Sequence, residues 1–428
     1  MTAEIAILNK SAVVLAADSA VTISAGSNQE KIFDSADKLF ELSCHDPIAI
    51  MVNNNMHFME VPLQVIIKDY RSKSAQFEKV EEAALDFLRY LQAFGNDSPD
   101  NVKWRSIVNQ LSPMVSWIQE KAWEEVMELF QDSSKLKEGE DLDEARLRIV
   151  SERIKFLEWI WRRPTESDFL QRSKPSLSGI EIDAIKKVIE DSFTIATAEQ
   201  RDQLAKLVVS NVGRDWLFQP TTGVIVAGFG SKELFPTLKE FQIIGMIGGA
   251  LKFQTGSHVD IDRNGDRARV LPFAQRDMVE RFLYGLDSDI ERKIKTFCQR
   301  TVPEISNQLL AQVDLEQEAL SQLEKEARAA ETAFLDALQS EVLSLVREDS
   351  RSEIEDMVEF MPKSEMARMA EALVNLTSIK RRVSRGMETV GGPIDVAVIS
   401  KAEGFVWVKR KHYFPPELNA RYFERINK

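Results

Sequence analysis

The stretch that decides the fold is TAEIAILNKSAVVLAADSAVT, residues 2–22. It contains two short runs of apolar and β-branched residues, over 3–8 and 12–17, separated by the polar triplet 9–11. Runs of this length with polar residues between them are typical of two buried strands joined by a tight turn. The sequence therefore predicts a β-hairpin at the beginning of the chain.

A single charge follows the second of these runs. Asp18 comes directly after six apolar residues, at a strand end where a buried carboxylate needs a partner. A second hairpin is predicted with strands over 38–43 and 47–52, and its first residue, Lys38, is the natural partner. The pair has two interpretations: an ordinary structural ion pair at a hairpin edge, or two charges that activate a nearby nucleophile.

The nucleophile suggested by the sequence is Thr2. Its small side chain allows removal of Met1, and Thr2 would then present a free α-amine beside its own hydroxyl. An α-amine has a pKa of about 7.7 to 8.0, near enough to neutrality to accept the hydroxyl proton directly or through one water. Lys38 beside the hydroxyl would lower the hydroxyl pKa, and Asp18 would keep Lys38 protonated and oriented. Many proteins begin with Met-Thr, so the first two residues alone do not indicate this chemistry.

Beyond the second hairpin, apolar residues recur at three- and four-residue steps, which is typical of amphipathic helices. We expect helices over 57–71 and 77–94 and a mostly helical segment over 97–215. Six of the seven tryptophans lie in this segment or directly after it: Trp104, Trp117, Trp123, Trp159 and Trp161 within it, and Trp216 at the next position. Large aromatic side chains at helical spacing are more often core residues than a ligand-binding box, so we interpret them as the core of a helical subdomain.

Further strands are predicted in the second half of the chain, over 223–230, 236–253, 267–273, 391–400 and 405–410. The segment DIDRNGDR at 260–267 resembles the beginning of a calcium-binding loop. The twelfth position of such a loop is Leu271 here, where the bidentate ligand Glu is needed. We therefore favour a hairpin turn around Asn264 and Gly265 over a calcium site.

The stretch 287–347 is charge-rich and has a helical pattern, and a further helix is predicted over 364–383. The first contains a plausible apolar seam: Leu309, Val313, Leu320, Leu323, Ala327, Phe334, Leu338, Val342 and Leu345. Such a seam is compatible with a partner-binding arm or with a solvated helical bundle, and the bundle is the preferred interpretation.

The composition of the 428-residue chain disfavours several classes of function. A formal net charge of -13 argues against a general nucleic-acid-binding protein. Cys44 and Cys298 are the only cysteines and the four histidines are scattered, so we expect no disulfide framework, no metal and no cofactor. Neither a secretory signal pattern nor an apolar run of about 18 residues occurs, so we expect a cytoplasmic protein without a membrane or nucleic-acid partner.

Three segments carry a family resemblance. Residues 2–22 place an acid sixteen residues after a threonine, KLFEL at 38–42 supplies a lysine-bearing strand, and GGPIDVAVISKAEGFV at 391–406 combines two glycines with a closing hairpin. Together they resemble the proteasome β-subunits and the bacterial proteasome-like heat-shock protease, which are N-terminal nucleophile hydrolases. The similar parts of the chain are roughly 2–95, 220–285 and 360–410.

The resemblance implies an α+β fold, a four-layer αββα sandwich, that is interrupted by helical insertions. It divides the chain into 1–96 as the N-terminal part of the core, 97–215 as a Trp-rich helical insertion, 216–286 as the middle part of the core, 287–358 as a charged helical insertion or arm, and 359–428 as the C-terminal part of the core and tail.

The resemblance also implies amide-bond hydrolysis by Thr2, Lys38 and Asp18, with a backbone N–H near Val52 as the oxyanion donor. The family usually has glycine where Val52 falls. Family members assemble into rings, so a homo-oligomeric ring is expected. Its substrate would be a polypeptide or another amide.

The resemblance is incomplete in the residues that support the amine. No serine lies between Val270 and Glu280, where the family has one, and an Asp and a Ser are replaced within RGMETV at 385–390. We expect Glu388 or Thr389 to substitute for them.

The leading hypothesis is a threonine peptidase or amidase that forms an acyl-enzyme. The alternative is a catalytically inactive proteasome-like ring or scaffold protein that acts through its helical insertions, and a third hypothesis is an acylase for small amides. No P-loop pattern is present, so ATP-driven unfolding of a substrate would require a separate ATPase partner.

Overall fold

A computed structural model describes residues 3–24, 30–132, 136–137, 139–162, 166–170, 176–215, 221–313, 316–383 and 391–426. The architecture is mixed α+β with antiparallel sheets, which confirms the predicted class. The strands are β1 (Ala3–Asn9), β2 (Ala12–Ala17), β3 (Val21–Ser24), β4 (Glu30–Phe33), β5 (Leu39–Glu41), β6 (Ile48–Asn54), β7 (His57–Phe58), β8 (Val61–Pro62), β9 (Asp168–Phe169), β10 (Thr222–Gly228), β11 (Thr237–Ile247), β12 (Ala250–Asp260), β13 (Ala268–Ala274), β14 (Asp395–Ser400) and β15 (Gly404–Lys409). The helices are α1 (Leu63–Lys73), α2 (Val80–Asn96), α3 (Asp100–Gln131), α4 (Leu142–Trp161), α5 (Gly179–Ser192), α6 (Ala198–Ser210), α7 (Asp277–Tyr284), α8 (Ser288–Leu310), α9 (Gln317–Ala337), α10 (Ser344–Glu359), α11 (Lys363–Val383) and α12 (Ala420–Ile426).

The chain forms two compact units. The first unit consists of Met1–Leu39, Leu234–Pro236 and Asp260–Lys428, and the second of Phe40–Glu233 and Thr237–Val259. The five-stranded sheet β13-β1-β2-β14-β15 belongs to the first unit, and the six-stranded sheet β5-β6-β10-β11-β12-β9 to the second.

The predicted first hairpin is confirmed in the first unit. Strands β1 and β2 pair antiparallel, with Ile7 opposite Val14. The turn is held by the side-chain oxygen of Asn9, which accepts hydrogen bonds from the backbone N–H groups of Ser11 at 2.9 Å and Ala12 at 3.2 Å. An asparagine that binds the backbone two residues later is a common turn device.

Alternate residues of β1 enter one hydrophobic core. Ala3, Ile5 and Ile7 share a face because side chains of a strand point to opposite sides in turn. They pack in one cluster with residues of α7, α10 and α11, among them Val279, Val358, Met366, Ala370 and Val374. A helix layer therefore covers one face of the first sheet.

The second sheet has its own helix layer. Strands β5 and β6 are neighbours, which confirms the second predicted hairpin. Val52 and Val224 lie opposite each other in β6 and β10 and share a core with Ile66 of α1 and Phe87 of α2. All four side chains are buried.

The predicted helix over 57–71 begins later than expected. Residues 57–62 form the small hairpin of β7 and β8, and α1 starts at Leu63. Met59 and Glu60 have φ of 48° and 66°, a left-handed conformation that a right-handed helix cannot contain. Pro62 then occupies the position before the first helical residue.

The helical character of 97–215 is confirmed by α3, α4, α5 and α6. These helices bury a hydrophobic cluster of their own, which includes Leu111, Ile149, Ile185 and Leu204. Helices α4, α5 and α6 each begin with a capping box. In this motif the side chain of the cap residue and the side chain three residues later accept hydrogen bonds from each other's backbone N–H groups. The cap residues are Asp141, Ser178 and Thr197.

The tryptophans of this segment are only partly core residues. Trp161 is 2 % exposed, but Trp123 and Trp159 are 48 % and 52 % exposed, so the core interpretation is wrong for these two. The helical period explains the difference. Trp159 lies two residues beyond the buried Leu157, about 200° around the helix and hence on the opposite face. Trp216 lies outside the described residues.

The predicted turn within 260–267 is present. Asp262 accepts hydrogen bonds from the backbone N–H groups of Asn264 and Gly265, the first at 2.6 Å. The expectation of a β-hairpin is wrong, however, since the flanking strands β12 and β13 belong to different sheets.

The charge-rich segment forms α8, α9 and a π-helical turn at Leu338–Leu343. Neither α8 nor α9 has a buried residue, although the two helices contact each other. Leu309 of the predicted seam is 60 % exposed and Phe334 is 48 % exposed. The seam thus stays largely open to solvent in the single chain.

Candidate active site

Asp18 follows β2 and contacts the first residue of β1. Its Oδ1 accepts hydrogen bonds from the Ala3 backbone nitrogen at 3.1 Å and from Lys38 Nζ at 2.7 Å. Its Oδ2 accepts a hydrogen bond from the Gly391 backbone nitrogen at 3.0 Å. The side chain is fully buried. Three donors from separate parts of the first unit therefore converge on one buried carboxylate.

Lys38 directly precedes β5 and is 1 % exposed. Its Nζ donates to Asp18 Oδ1 and to the Ala20 carbonyl oxygen, both at 2.7 Å. A buried ammonium loses its hydration, and only close, well-directed acceptors offset that loss. The ion pair and the carbonyl contact together fix the position of the charge.

The loop after β2 is attached to the segment around the two glycines. Ser19 donates from its backbone nitrogen to the Gly391 oxygen at 3.2 Å and from its hydroxyl to the Pro393 oxygen at 2.6 Å. Gly392 has φ of +75°, and a Cβ there would come 2.7 Å from the Asp34 backbone oxygen. Only glycine satisfies both conditions, which explains the second glycine of the motif.

The structure brings together two of the predicted site residues, Asp18 and Lys38. Thr2, Glu388 and Thr389 lie outside the described residues. Val52, the predicted oxyanion donor, is a buried residue of β6 in the second unit.

The contact between Asp18 and Ala3 has a direct chemical meaning. The Ala3 nitrogen belongs to the peptide bond that joins Ala3 to Thr2, so the carboxylate that binds Lys38 also binds the backbone next to Thr2. A lysine ammonium in this neighbourhood favours the deprotonated form of a hydroxyl and stabilises negative charge that develops on oxygen. The arrangement is suited to the activation of a nucleophile at the beginning of β1.

Two buried polar residues near this site were not predicted. Glu4 is 1 % exposed in β1. Gln275 is 6 % exposed and follows Ala274, which lies opposite Ala3 and has φ of 59°. Glu4 could have been found as the only charge within an apolar strand. Gln275 carries no such signal, because only the strand register places it at this end of the sheet.

A second buried lysine lies in the second unit. Lys252 of β12 is fully buried, and its Nζ donates to the Arg214 carbonyl oxygen at 2.5 Å. Nearby, Trp161 donates to the Asp215 carbonyl oxygen at 3.0 Å and the Ser167 hydroxyl donates to the Asp215 carboxylate. Burial lowers the pKa of Lys252 to about 7, and the negative charge of Asp215 partly offsets that effect.

The stability of the second unit should consequently depend on pH through Lys252. The unfolded lysine is protonated up to its ordinary pKa of about 10.4, whereas the folded lysine loses its proton above pH about 7. Unfolding therefore takes up a proton between pH about 7 and 10. As the pH rises through this range, Lys252 increases the free energy of unfolding by up to about 1.4 kcal/mol per pH unit. The free energy of unfolding can be measured with urea at pH 7 to 10 for the natural protein and for Lys252→Met. The difference between the two should increase with pH with that slope.

Lys155→Met, at an exposed position of α4, is the control for the loss of a lysine. The difference in unfolding free energy between this variant and the natural protein should not change with pH in the same way. A Lys252→Met difference that stays constant over this pH range would mean that Lys252 remains protonated in the folded state.

Within the described ranges, no group of three or more His, Cys, Asp and Glu side chains is arranged to hold a metal ion. The helices among those residues include none with the length and apolarity needed to cross a membrane.

Comparison of the sequence with protein-family models gave no matching family, and comparison with curated proteins gave no matching protein. Function is therefore inferred from the buried pair, from its surroundings and from the resemblance of the three short segments.

Proposed function

We propose that the protein is a proteasome-like threonine peptidase or amidase whose nucleophile is Thr2, exposed by removal of Met1. The observation that carries this proposal is the buried Lys38–Asp18 pair, whose carboxylate also binds the Ala3 nitrogen at 3.1 Å. An ordinary ion pair at a hairpin edge would remain accessible to water, whereas both side chains of this pair are almost fully buried. Such burial is costly and is typical of functional sites.

The chemistry uses one residue as nucleophile and base. Thr2 Oγ1 attacks the carbonyl carbon of an amide while the α-amine of Thr2 accepts the hydroxyl proton. The tetrahedral intermediate then breaks its C–N bond, and the leaving amine takes that proton. Water hydrolyses the resulting ester and regenerates Thr2. Lys38 stabilises the negative charge that develops on oxygen in the first step.

The finer fold belongs to the same proposal. Each large sheet has a helix layer on one face, which supports a four-layer αββα sandwich. In that arrangement a backbone N–H near Val52 would bind the oxyanion, and Glu388 or Thr389 would support the amine. A cytoplasmic homo-oligomeric ring, supplied with substrate by a separate ATPase, completes the proposal.

One observation favours the alternative, a catalytically inactive ring or scaffold protein. Helices α8 and α9 bury no residue, and Phe297 and Leu309 of α8 are 57 % and 60 % exposed. A long helix with exposed apolar side chains offers surface that a protein partner could cover. An active ring-forming enzyme also needs such contacts, so this feature alone does not remove the catalytic proposal.

The test is mass spectrometry of the intact purified protein before and after incubation with an epoxyketone or a β-lactone, which react with N-terminal threonines. We expect loss of Met1 and a single adduct on a peptide that begins with Thr2. Retention of Met1, or a free Thr2 that neither probe labels, would contradict catalysis and favour the scaffold. Thr2→Ala is the matched control and should carry no adduct.

A further inference from the structure

Helices α8 and α9 of the first unit contact each other, and only residues 311–316 connect them, so they run antiparallel. We call this pair of helices the α8–α9 arm. With 23 and 21 residues, the helices are about 35 and 32 Å long. Neither helix has a buried residue. A helix normally buries its apolar stripe against another element, and the arm does not achieve this by itself.

On α8 the exposed surface contains an aromatic ring among cations. Phe297 is 57 % exposed and lines a depression of about 270 Å³, together with Arg292, Lys293, Thr296 and Arg300. Lys293 lies four residues before Phe297 and Arg300 three residues after it, so both flank the ring on one helix face. This surface is apolar at Phe297 and positively charged around it.

On α9 the exposed ring has small neighbours and a negatively charged helix around it. Phe334 is 48 % exposed, and Ala330 and Ala337, one turn away on the same face, leave room for another side chain. Helix α9 has five carboxylates and two cations, a net charge of -3, whereas α8 has four cations and three carboxylates, a net charge of +1. Glu326, one turn before Ala330, is exposed.

The two rings lie on the same side of the arm. Each phenylalanine directly precedes a row of half-buried residues at four-residue steps, and is therefore about 100° away from that row around its helix. Seen from one end, two antiparallel helices turn in opposite senses, so an equal angle from the shared seam gives the same side. The half-buried rows are Ile294, Cys298 and Val302 on α8 and Ala327, Glu331 and Leu335 on α9.

The rings also lie at similar heights along the arm. Phe297 is 13 residues from the end of α8, and Phe334 is 17 residues from the beginning of α9, which correspond to about 20 and 26 Å. Arg300 and Glu326 are 10 and 9 residues from the same ends, or about 15 and 14 Å. A second arm that points in the same direction, with its α9 against α8, therefore brings ring to ring and Glu326 to Arg300.

Charge selects this arrangement over the other way of pairing two arms. If α8 lay against α8 of a second copy, the cations around Phe297 would face the same cations, and like charges across an interface weaken association. With α8 against α9 of the second copy, the cations face carboxylates. A two-fold axis repeats that contact, since each copy supplies one α8 and one α9. The result is a four-helix bundle in which neighbouring helices are antiparallel.

We propose that the α8–α9 arm binds the arm of a second copy of this chain about a two-fold axis. Phe297 and Arg300 of each α8 lie against Phe334 and Glu326 of the other copy's α9. The proposal goes beyond the proposed function, because it does not involve Thr2 and because a two-fold contact joins chains in pairs, whereas a ring needs a contact that repeats around a circle.

The first test is sedimentation velocity of the full chain over a range of protein concentrations. We expect a reversible equilibrium in which the number of chains per particle doubles as the concentration rises. Phe297→Ser should raise the dissociation constant of this step by at least about 30-fold, the usual effect of truncating a central aromatic contact. Phe130→Ser on α3 is the matched control, since Phe130 is 58 % exposed and lies outside the arm, and should leave the constant unchanged.

The second test exchanges the charges. Arg300→Glu alone and Glu326→Arg alone each place like charges together at both copies of the contact, so each variant should associate at least about tenfold more weakly than the natural protein. In a mixed pair of the two variants, both contacts join opposite charges again. An equimolar mixture should therefore associate to within a few-fold of the natural protein. Because both residues are exposed, circular dichroism should show that each variant is folded.

Three results would overturn the proposal. One is an unchanged dissociation constant for Phe297→Ser. Another is a mixture of the two charge variants that associates no better than either variant alone, which would mean that α8 does not face α9 of the second copy. The third is a natural protein whose number of chains per particle never doubles, which would leave the arm to a partner of another kind.

Discussion

Replacement of Lys38 by methionine is expected to slow acylation of Thr2 by about 10²- to 10³-fold, the usual effect of removing one preorganised group that stabilises developing charge. Methionine is similar in length and keeps the apolar part of the side chain, but it cannot donate to the Asp18 carboxylate or hold a positive charge. The measurement is the second-order rate constant for β-lactone labelling of Thr2, followed by mass spectrometry at several pH values.

A second lysine of the first unit that is paired with a carboxylate provides the control. Lys411 contacts the Asp395 carboxylate and also Asp37 Oδ1 at 3.2 Å, and its side chain is 10 % exposed. Lys411→Met should therefore leave the labelling rate within a few-fold of the natural protein. Similar rates in the Lys38 and Lys411 variants would mean that Lys38 is structural, even if Thr2 itself reacts.

Replacement of Asp18 by alanine is expected to destabilise the first unit by about 3–5 kcal/mol. The substitution removes the carboxylate that pairs with the buried Lys38 ammonium, and it removes the acceptor of the Ala3 and Gly391 nitrogens. Each buried donor without an acceptor adds its own cost. Urea unfolding, monitored by hydrogen exchange of β1 and β2 amides, measures the change.

A double variant distinguishes the interaction between Asp18 and Lys38 from the contacts that each makes with other residues. Asp18→Ala combined with Lys38→Met also removes the buried ammonium whose carboxylate partner is gone, so the double variant should be more stable than Asp18→Ala alone. Asp191→Ala is the control: both side chains of the Lys187–Asp191 pair on α5 are more than half exposed, so its loss should lower the stability far less than Asp18→Ala does. If the double variant lost as much stability as the two single variants together, Asp18 and Lys38 would not act as a pair.

Much of the candidate site was accessible from the sequence because it lies in short, strongly patterned strands. Asp18 follows six apolar residues and Lys38 directly precedes β5, so both charges stand out at strand ends. The tryptophans of 97–215 were harder to place. Composition indicates that large aromatics tend to be buried, but whether a particular one enters the core depends on its angle around a helix whose core face is set by the neighbouring helices.

The amino-acid sequence by itself determined the local elements: the first hairpin, the amphipathic helices, the turn at Asn264 and Gly265, and the charges at two strand ends. Their causes are local, since strand alternation, helical periodicity and turn chemistry act over a few residues.

The tertiary structure alone decided which distant residues meet. It brought the Gly391 nitrogen to Asp18 across 373 residues and placed Gln275 at the end of β1. It also buried the Gln110 side chain in α3 against the Met246 carbonyl oxygen of β11. These features depend on strand register and on packing between separate segments, where a buried polar atom is stabilised or left open by groups that no short stretch of sequence contains.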